Sequence, residues 1–232
     1  MPPGDQLPLP LPHRAALGRA DFLVAPSNAA AVAWIDRWPD WPSTALCLHG
    51  PQGCGKSHLL TVWCASSGAE RLTGVELADR DPAALSAMGC VAIDEADGAA
   101  DERVLLHLFN LLKEAGGQLL LAARTPATYW SLQLPDLRSR LVSSASVAME
   151  APDDALLSAI LAKLFRDRQV AVDDGVLRYL VSRMERSFAA AAELVERLDR
   201  QSLAGRRAIT IPLVRAALEQ KQTRDQERTG HR

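Results

Sequence analysis

The chain has 232 residues, 48% of them apolar, 23% charged and 5% aromatic, which fits a soluble globular protein of one domain or two small ones. With 26 Lys and Arg against 28 Asp and Glu, the net charge of -2 leaves no positive excess to drive bulk binding to nucleic acid or an anionic membrane. No apolar run approaches the ~20 residues of a membrane helix, the N-terminus lacks a signal-peptide pattern, and Cys47, Cys54, Cys64 and Cys90 form no CxxC pair. The expectation is a cytoplasmic protein with reduced thiols, and the five histidines show no metal-ligand spacing.

Residues 1–12 alternate Leu and Pro after Gln6 and read as an extended arm. Ser27 is placed to cap a short helix carrying Val32 and Ile35, which the stretch from Trp38 to Pro42 ends. Apolar strand candidates follow at Ala45 to His49, Gly89 to Ile93, Gln118 to Ala123 and Ser146 to Met149, with a weaker one at Arg71 to Leu77. Helical patterns separate them. Ser57 to Ser66 is one, Pro82 to Met88 follows Asp81 as N-cap, and Asp101 to Ala115 puts Val104, Leu105, Leu108, Leu111 and Leu112 on one face. This alternation predicts an α/β fold with a mostly parallel sheet covered on both faces. After Met149 the strand signals stop. Asp153 to Arg168, Gly175 to Met184, Phe188 to Leu203 and a helix opened by Pro212 form a helical subdomain, and a polar tail starts at Lys221. The expected division is an arm at 1–12, an αβα domain at 13–150, a helical domain at 151–220 and a tail at 221–232.

The strongest local signal is Gly50-Pro-Gln-Gly53-Cys54-Gly55-Lys56-Ser57, a full GxxxxGK[ST] pattern directly after an apolar strand and before a helix. Glycines let backbone N–H groups curl around phosphates, and the helix N-terminus adds positive potential. Lys56 is the candidate ligand of the β/γ-phosphates and Ser57 of Mg2+. A chance Gly-rich turn is the plain alternative, and both flanks argue against it. The second signal is Cys90-Val-Ala-Ile-Asp94-Glu95, a buried strand ending in acids. Asp94 is the candidate holder of the Mg2+ shell, with Ser57, and Glu95 the candidate orienter of an attacking water. The bland alternative is a strand that runs out into an acidic turn.

GPQGCGKSHLL, VAIDEAD, LLLAARTP and LPDLRSRL together resemble the AAA+ module of the bacterial replication initiator DnaA, and more closely the DnaA-related Hda family that inactivates it. The resemblance spans residues 6 to 220 and implies an AAA+ αβα sandwich, with a five-stranded parallel sheet, followed by a small helical lid. It implies ADP or ATP with Mg2+ as cofactors, bound by Gly50, Gly53, Cys54, Gly55, Lys56, Ser57 and His58. Leu23, Val24 and Asn28 lie where the family wraps adenine, although packing of an N-terminal helix explains them equally. It implies that Arg140 is an arginine finger directed at the γ-phosphate held by a neighbouring subunit, with Arg138 a solvated basic residue. The polar sensor of the fourth strand falls on Ala123, with Arg124 beside it. The lid sensor falls on Ala189, for which Arg186, one turn earlier, is the candidate substitute.

Gln6-Leu7-Pro8-Leu9-Pro10-Leu11 resembles the QL-x-LPL peptide that docks on the DNA polymerase III sliding clamp. In an extended arm Leu7, Leu9 and Leu11 share a face, and the prolines reduce the entropy lost on docking. Only Lys221 to Arg232 follow the lid in this sequence, too few for the helix-turn-helix domain of the initiator. The resemblance therefore implies a clamp-bound, ADP-loaded regulator with DnaA as partner, possible self-association, DNA contact through the clamp, no membrane contact, and weak or partner-dependent ATPase activity. A clamp-loader or helicase-loader ATPase shares the core, and a small-molecule kinase shares the phosphate loop. The kinase reading gives the arm and the LRSRL segment no role; a clamp loader would work in a hetero-oligomeric ring and a helicase loader would carry a helicase-binding extension, and neither addition is expected from this sequence.

Overall fold

The computed structural model describes residues 22–99, 101–205 and 207–219. Five strands, β1 (Ala45–His49), β2 (Glu70–Thr73), β3 (Cys90–Asp94), β4 (Gln118–Ala123) and β5 (Ala145–Ala148), form a sheet in the order β2-β3-β4-β1-β5 in which every pair is parallel. Parallel neighbours require crossovers. These are supplied by α2 (Lys56–Ser67), α3 (Pro82–Ala87), α4 (Glu102–Ala115) and α5 (Pro135–Ser143), with α1 (Ala29–Asp36) leading into β1.

Alternation along the strands decides which helices cover which face. Ala45 and Cys47 join a core with Leu105, Leu108, Phe109 and Leu112 of α4 and Leu137 and Leu141 of α5. Leu46 and Leu48 point the other way, into a core with Val32 and Ile35 of α1 and Leu59, Leu60 and Trp63 of α2. Trp63 is completely buried and stacks on Trp41, with ring centroids 5.4 Å apart, in keeping with a packing role for these tryptophans. Helices α6 (Asp154–Asp167), α7 (Asp174–Val181), α8 (Phe188–Gly205) and α9 (211–219) build a third core around Leu157, Leu161, Phe165, Leu180 and Leu198.

Aspartate caps set four of the helix starts. Asp81, Asp101, Asp153 and Asp173 each accept a backbone N–H from the first turn that follows. Three expectations change. Helix α1 begins after Asn28, not at a Ser27 cap, and the Ser27 carbonyl instead accepts from the Glu150 N–H at 2.9 Å. The weak strand is shorter, ending at Thr73, because residues 76–79 turn into a 3-10 helix that buries Leu77. On α4, Phe109 takes the buried place expected of Leu111.

The arm with Gln6, Leu7, Leu9 and Leu11, and the tail from Lys221, lie outside the described residues. Among the described residues, no helix is long and apolar enough to cross a membrane, and no cluster of His, Cys, Asp and Glu fit to hold a metal ion is found.

Candidate functional site

Strand order places the site. Strand β4 lies between β1 and β3, so the loop after β1 and the acidic end of β3 flank the carboxyl end of β4, the position at which open parallel sheets bind ligands. Gln52, Gly53, Lys56, Ser57, Asp94, Glu95, Asp97, Ala122, Ala123 and Arg124 line one cleft there. Five predicted site residues thus come together: Gly53, Lys56, Ser57, Asp94 and Glu95.

The loop from Gly50 to Gly55 is held at both ends. The Gly50 N–H donates to the carbonyl of Ala123 at 3.2 Å, and the Phe188 N–H donates to that of Gly53 at 3.0 Å. Gly53 and Gly55 have φ of +75° and +104°, in the left-handed region that side chains with a Cβ rarely adopt. A Cβ at Gly53 would overlap the Cβ of Ser187, and one at Gly55 would come within 2.9 Å of the Phe188 ring. The loop is therefore packed directly against the start of α8. Ser187 is buried and its hydroxyl accepts the Ala190 N–H at 3.1 Å, fixing that helix start. Cys54 is buried beside Lys56.

Lys56 is 9% exposed and its Nζ donates to the carbonyls of Gly50 at 2.7 Å and Pro51 at 2.8 Å. Two carbonyls thus hold the ammonium at the cleft wall, where it can exchange them for phosphate oxygens. Asp94 is 7% exposed and both its oxygens are engaged. Oδ2 accepts from Arg71 Nη2 at 2.7 Å and Oδ1 from the Glu95 N–H at 3.1 Å. Glu95 itself is exposed with φ of +51°, a left-handed conformation for a non-glycine residue. The turn after it is tied to β4 by Asp97, which accepts the Arg124 N–H at 2.9 Å. The Ser57 hydroxyl and the Asp94 carboxylate are hard oxygen donors bordering the same cleft, so the donor set fits Mg2+.

Other predicted residues stand apart from this cleft. Asn28 is 1% exposed and spends its amide on its own segment, accepting from the Ala25 N–H and donating to the Leu23 carbonyl. It shapes the 22–28 turn with its amide buried there, whereas Val24 is exposed. Leu23 packs against the helical core and Phe22 lies edge-on to the His58 ring at 5.1 Å, so this segment bridges the two parts of the chain. Arg186 is not brought into the cleft. It is half-exposed and pairs with Asp154 of α6 at 2.6 Å, and Ala189 is exposed.

Arg140 sits in the last turn of α5, at the opposite end of the sheet. It borders a cavity of about 470 Å3 with Thr44, Lys113, Gln118 and Ser143, beside the amino ends of β1 and β4. Its guanidinium carbon is 5.8 Å from the centre of the Phe109 ring, and its Nε is buried without a hydrogen-bond partner. The LPDLRSRL segment forms a helix, opened by Pro135, in which Arg138 is exposed and Arg140 half-buried.

His49 ends β1 beside the loop. Burial, and then the Lys56 charge, lower its pKa from the ordinary 6.5. Its neutral form is favoured in the folded chain, so the stability this gives is present above pH 6.5 and is lost as pH falls through the lowered native value. Urea unfolding at pH 8 and pH 5 should show a smaller acid loss for His49→Gln than for the unaltered chain.

A family model described as the Hda lid domain matches residues 154–218. Domain III of the Thermotoga maritima replication initiation protein DnaA superposes with a TM-score of 0.75 at 17% identity, covering 90% of this chain and 98% of that one. Residues 154–218 thus match the Hda lid, and the chain as a whole shares the fold of DnaA domain III. AMPPCP-bound DnaA from Aquifex aeolicus gives a TM-score of 0.71 at 15% identity, covering 90% of this chain and 69% of that one. The Thermotoga maritima RuvB Holliday junction branch migration motor gives 0.62 at 19%, covering 76% and 61%. At these identities the structures establish the fold: an αβα sandwich with a five-stranded parallel sheet and a helical lid, as expected. The matched residues contain α6, α7, all of α8 and all but the last residue of α9.

Proposed function

We propose that this chain is a regulator of replication initiation that binds ADP or ATP, docks on the sliding clamp through Gln6, Leu7, Leu9 and Leu11, and presents Arg140 to ATP held by DnaA. The stimulated hydrolysis converts the initiator to its ADP form and prevents over-initiation. Two solved DnaA structures among the neighbours hold AMPPCP, which supports a nucleotide at the equivalent loop here. In this reading Lys56 and the loop N–H groups would hold the β- and γ-phosphates, and Ser57 and Asp94 would hold Mg2+, which would supply positive charge against the phosphates. Glu95 orients water in whatever turnover the chain supports by itself.

The observation that carries the reading is the distance between Arg140 and the chain's own phosphate loop. They lie at opposite ends of β1, which at ~3.3 Å per residue separates them by roughly 15 Å. Arg140 cannot serve its own nucleotide, so a finger role requires a neighbouring subunit. A guanidinium delivered in this way adds charge stabilisation that the partner's site lacks.

The test uses the purified full chain. Its bound nucleotide is identified, and hydrolysis of DnaA-bound ATP is followed with and without clamp loaded on DNA. ADP on the chain and clamp-dependent hydrolysis are expected, with Gln6→Ala abolishing the dependence on clamp. Brisk ATP hydrolysis by the chain alone, or an intact arm that fails to bind clamp, would overturn the proposal.

A further inference from the structure

Two pairings inside the nucleotide cleft are set by the chain itself, and the one at Asp94 is unexpected. Asp94, the carboxylate that fits Mg2+, already holds a permanent cation. Arg71 Nη2 lies 2.7 Å from Asp94 Oδ2, and Arg71 Nη1 donates to Thr61 Oγ1 of α2 at 2.8 Å. Sheet register makes the meeting inevitable. Thr73 of β2 is opposite Asp94 of β3 and Arg71 is opposite Ala92, so Arg71 and Asp94 are diagonal neighbours on the face that α2 covers.

We propose that Arg71 is a built-in counter-ion of Asp94 that competes with Mg2+ for this carboxylate, so that the chain holds nucleotide with little dependence on the divalent ion. The inference rests on the reading of the phosphate loop as a nucleotide site. A guanidinium does not lose its proton in a protein, so its charge cannot be titrated away. A divalent ion brought to Asp94 must either displace Arg71 or sit within a few ångströms of it, and both oppose binding. With Oδ1 accepting from the Glu95 N–H, each carboxylate oxygen already has one partner before any metal arrives. The Arg71 side chain is 40% exposed, against 10% for Asp94, so it is the arginine that can swing out when Mg2+ is abundant. Thr61 acts as a tether that holds it in place.

Titrating Mg2+ into the full chain with a fluorescent ADP analogue tests this directly. Binding should tighten little with Mg2+ in the unaltered chain. In Arg71→Gln the Mg2+ concentration needed for half of the tightening should fall at least about tenfold, since a full positive charge a few ångströms away is removed. Arg71→Lys, which keeps a charge without the fork, should stay close to the unaltered chain. Thr61→Ala releases the tether at a site 10 residues earlier on α2 and should move the midpoint in the same direction as Arg71→Gln, by less; it serves as the test if Arg71→Gln does not fold. An unchanged Mg2+ midpoint with ADP binding intact would overturn the role of Arg71 alone. Failure of the unaltered chain to bind ADP with or without Mg2+ would overturn this inference and the nucleotide site together.

Discussion

Replacing Arg140 by alanine should lower the DnaA-bound ATP hydrolysis that this chain stimulates by a factor of about 10³ or more, the scale of arginine-finger losses in other nucleotide hydrolases. The chain's own affinity for ADP should stay unchanged, because Arg140 lies beside the amino ends of β1 and β4 and not in the cleft with Lys56. Arg140→Lys is informative. A finger must place a flat donor fork against phosphate oxygens, so lysine should restore only a small part of the rate. The Arg140 guanidinium also lies over the Phe109 ring, and a modest loss of stability is expected from either change. Thermal unfolding of each variant separates that loss from the catalytic one. If Arg140→Ala stimulated DnaA hydrolysis normally, the finger reading would be wrong.

Much of the fold was legible because β1, β3 and β4 are continuous apolar runs buried on both faces, and because aspartate caps and GxxxxGK[ST] are local signals. The loop from Gly50 to Ser57 and the acidic strand end at Asp94 and Glu95, which line one cleft, stood out for the same reason. Short elements were harder. Strand β2 is an edge strand in which only Leu72 is buried, and α5 buries only Leu137 and Leu141, four residues apart, among exposed polar neighbours. Contacts that depend on register or on tertiary packing left no trace in the sequence. Arg71 meets Asp94 only because β2 pairs with β3 at Thr73, and Ser187 meets Gly53 only because the lid folds back onto the loop. Arg186 looked like a phosphate ligand by its distance from Ala189 along a helix, but it precedes α8 and is taken by Asp154.

The contact between loop and lid leads to the second large effect. Gly53→Ala should destabilise the chain by about 2 to 5 kcal/mol, from two separable causes. A left-handed φ costs a residue with a Cβ about 1–2 kcal/mol, and the new methyl overlaps the Cβ of Ser187, an overpacking that typically costs about 1–3 kcal/mol. For a domain of this size the thermal midpoint should fall by roughly 5–15 °C. Ser187→Gly separates the causes. It removes the obstructing Cβ, and as a helix-start residue glycine costs only a few tenths of a kcal/mol relative to serine. The double variant should therefore recover the overpacking part and leave the strain, giving a coupling of about 1–3 kcal/mol between the two sites. ADP affinity should follow the same pattern, because the loop can relieve the overlap only by leaving the carbonyl-to-Phe188 hydrogen bond that aligns it with α8. Strict additivity of the two substitutions would show that loop and lid do not touch in solution. The lid could then not sense the nucleotide through Ser187 and Phe188.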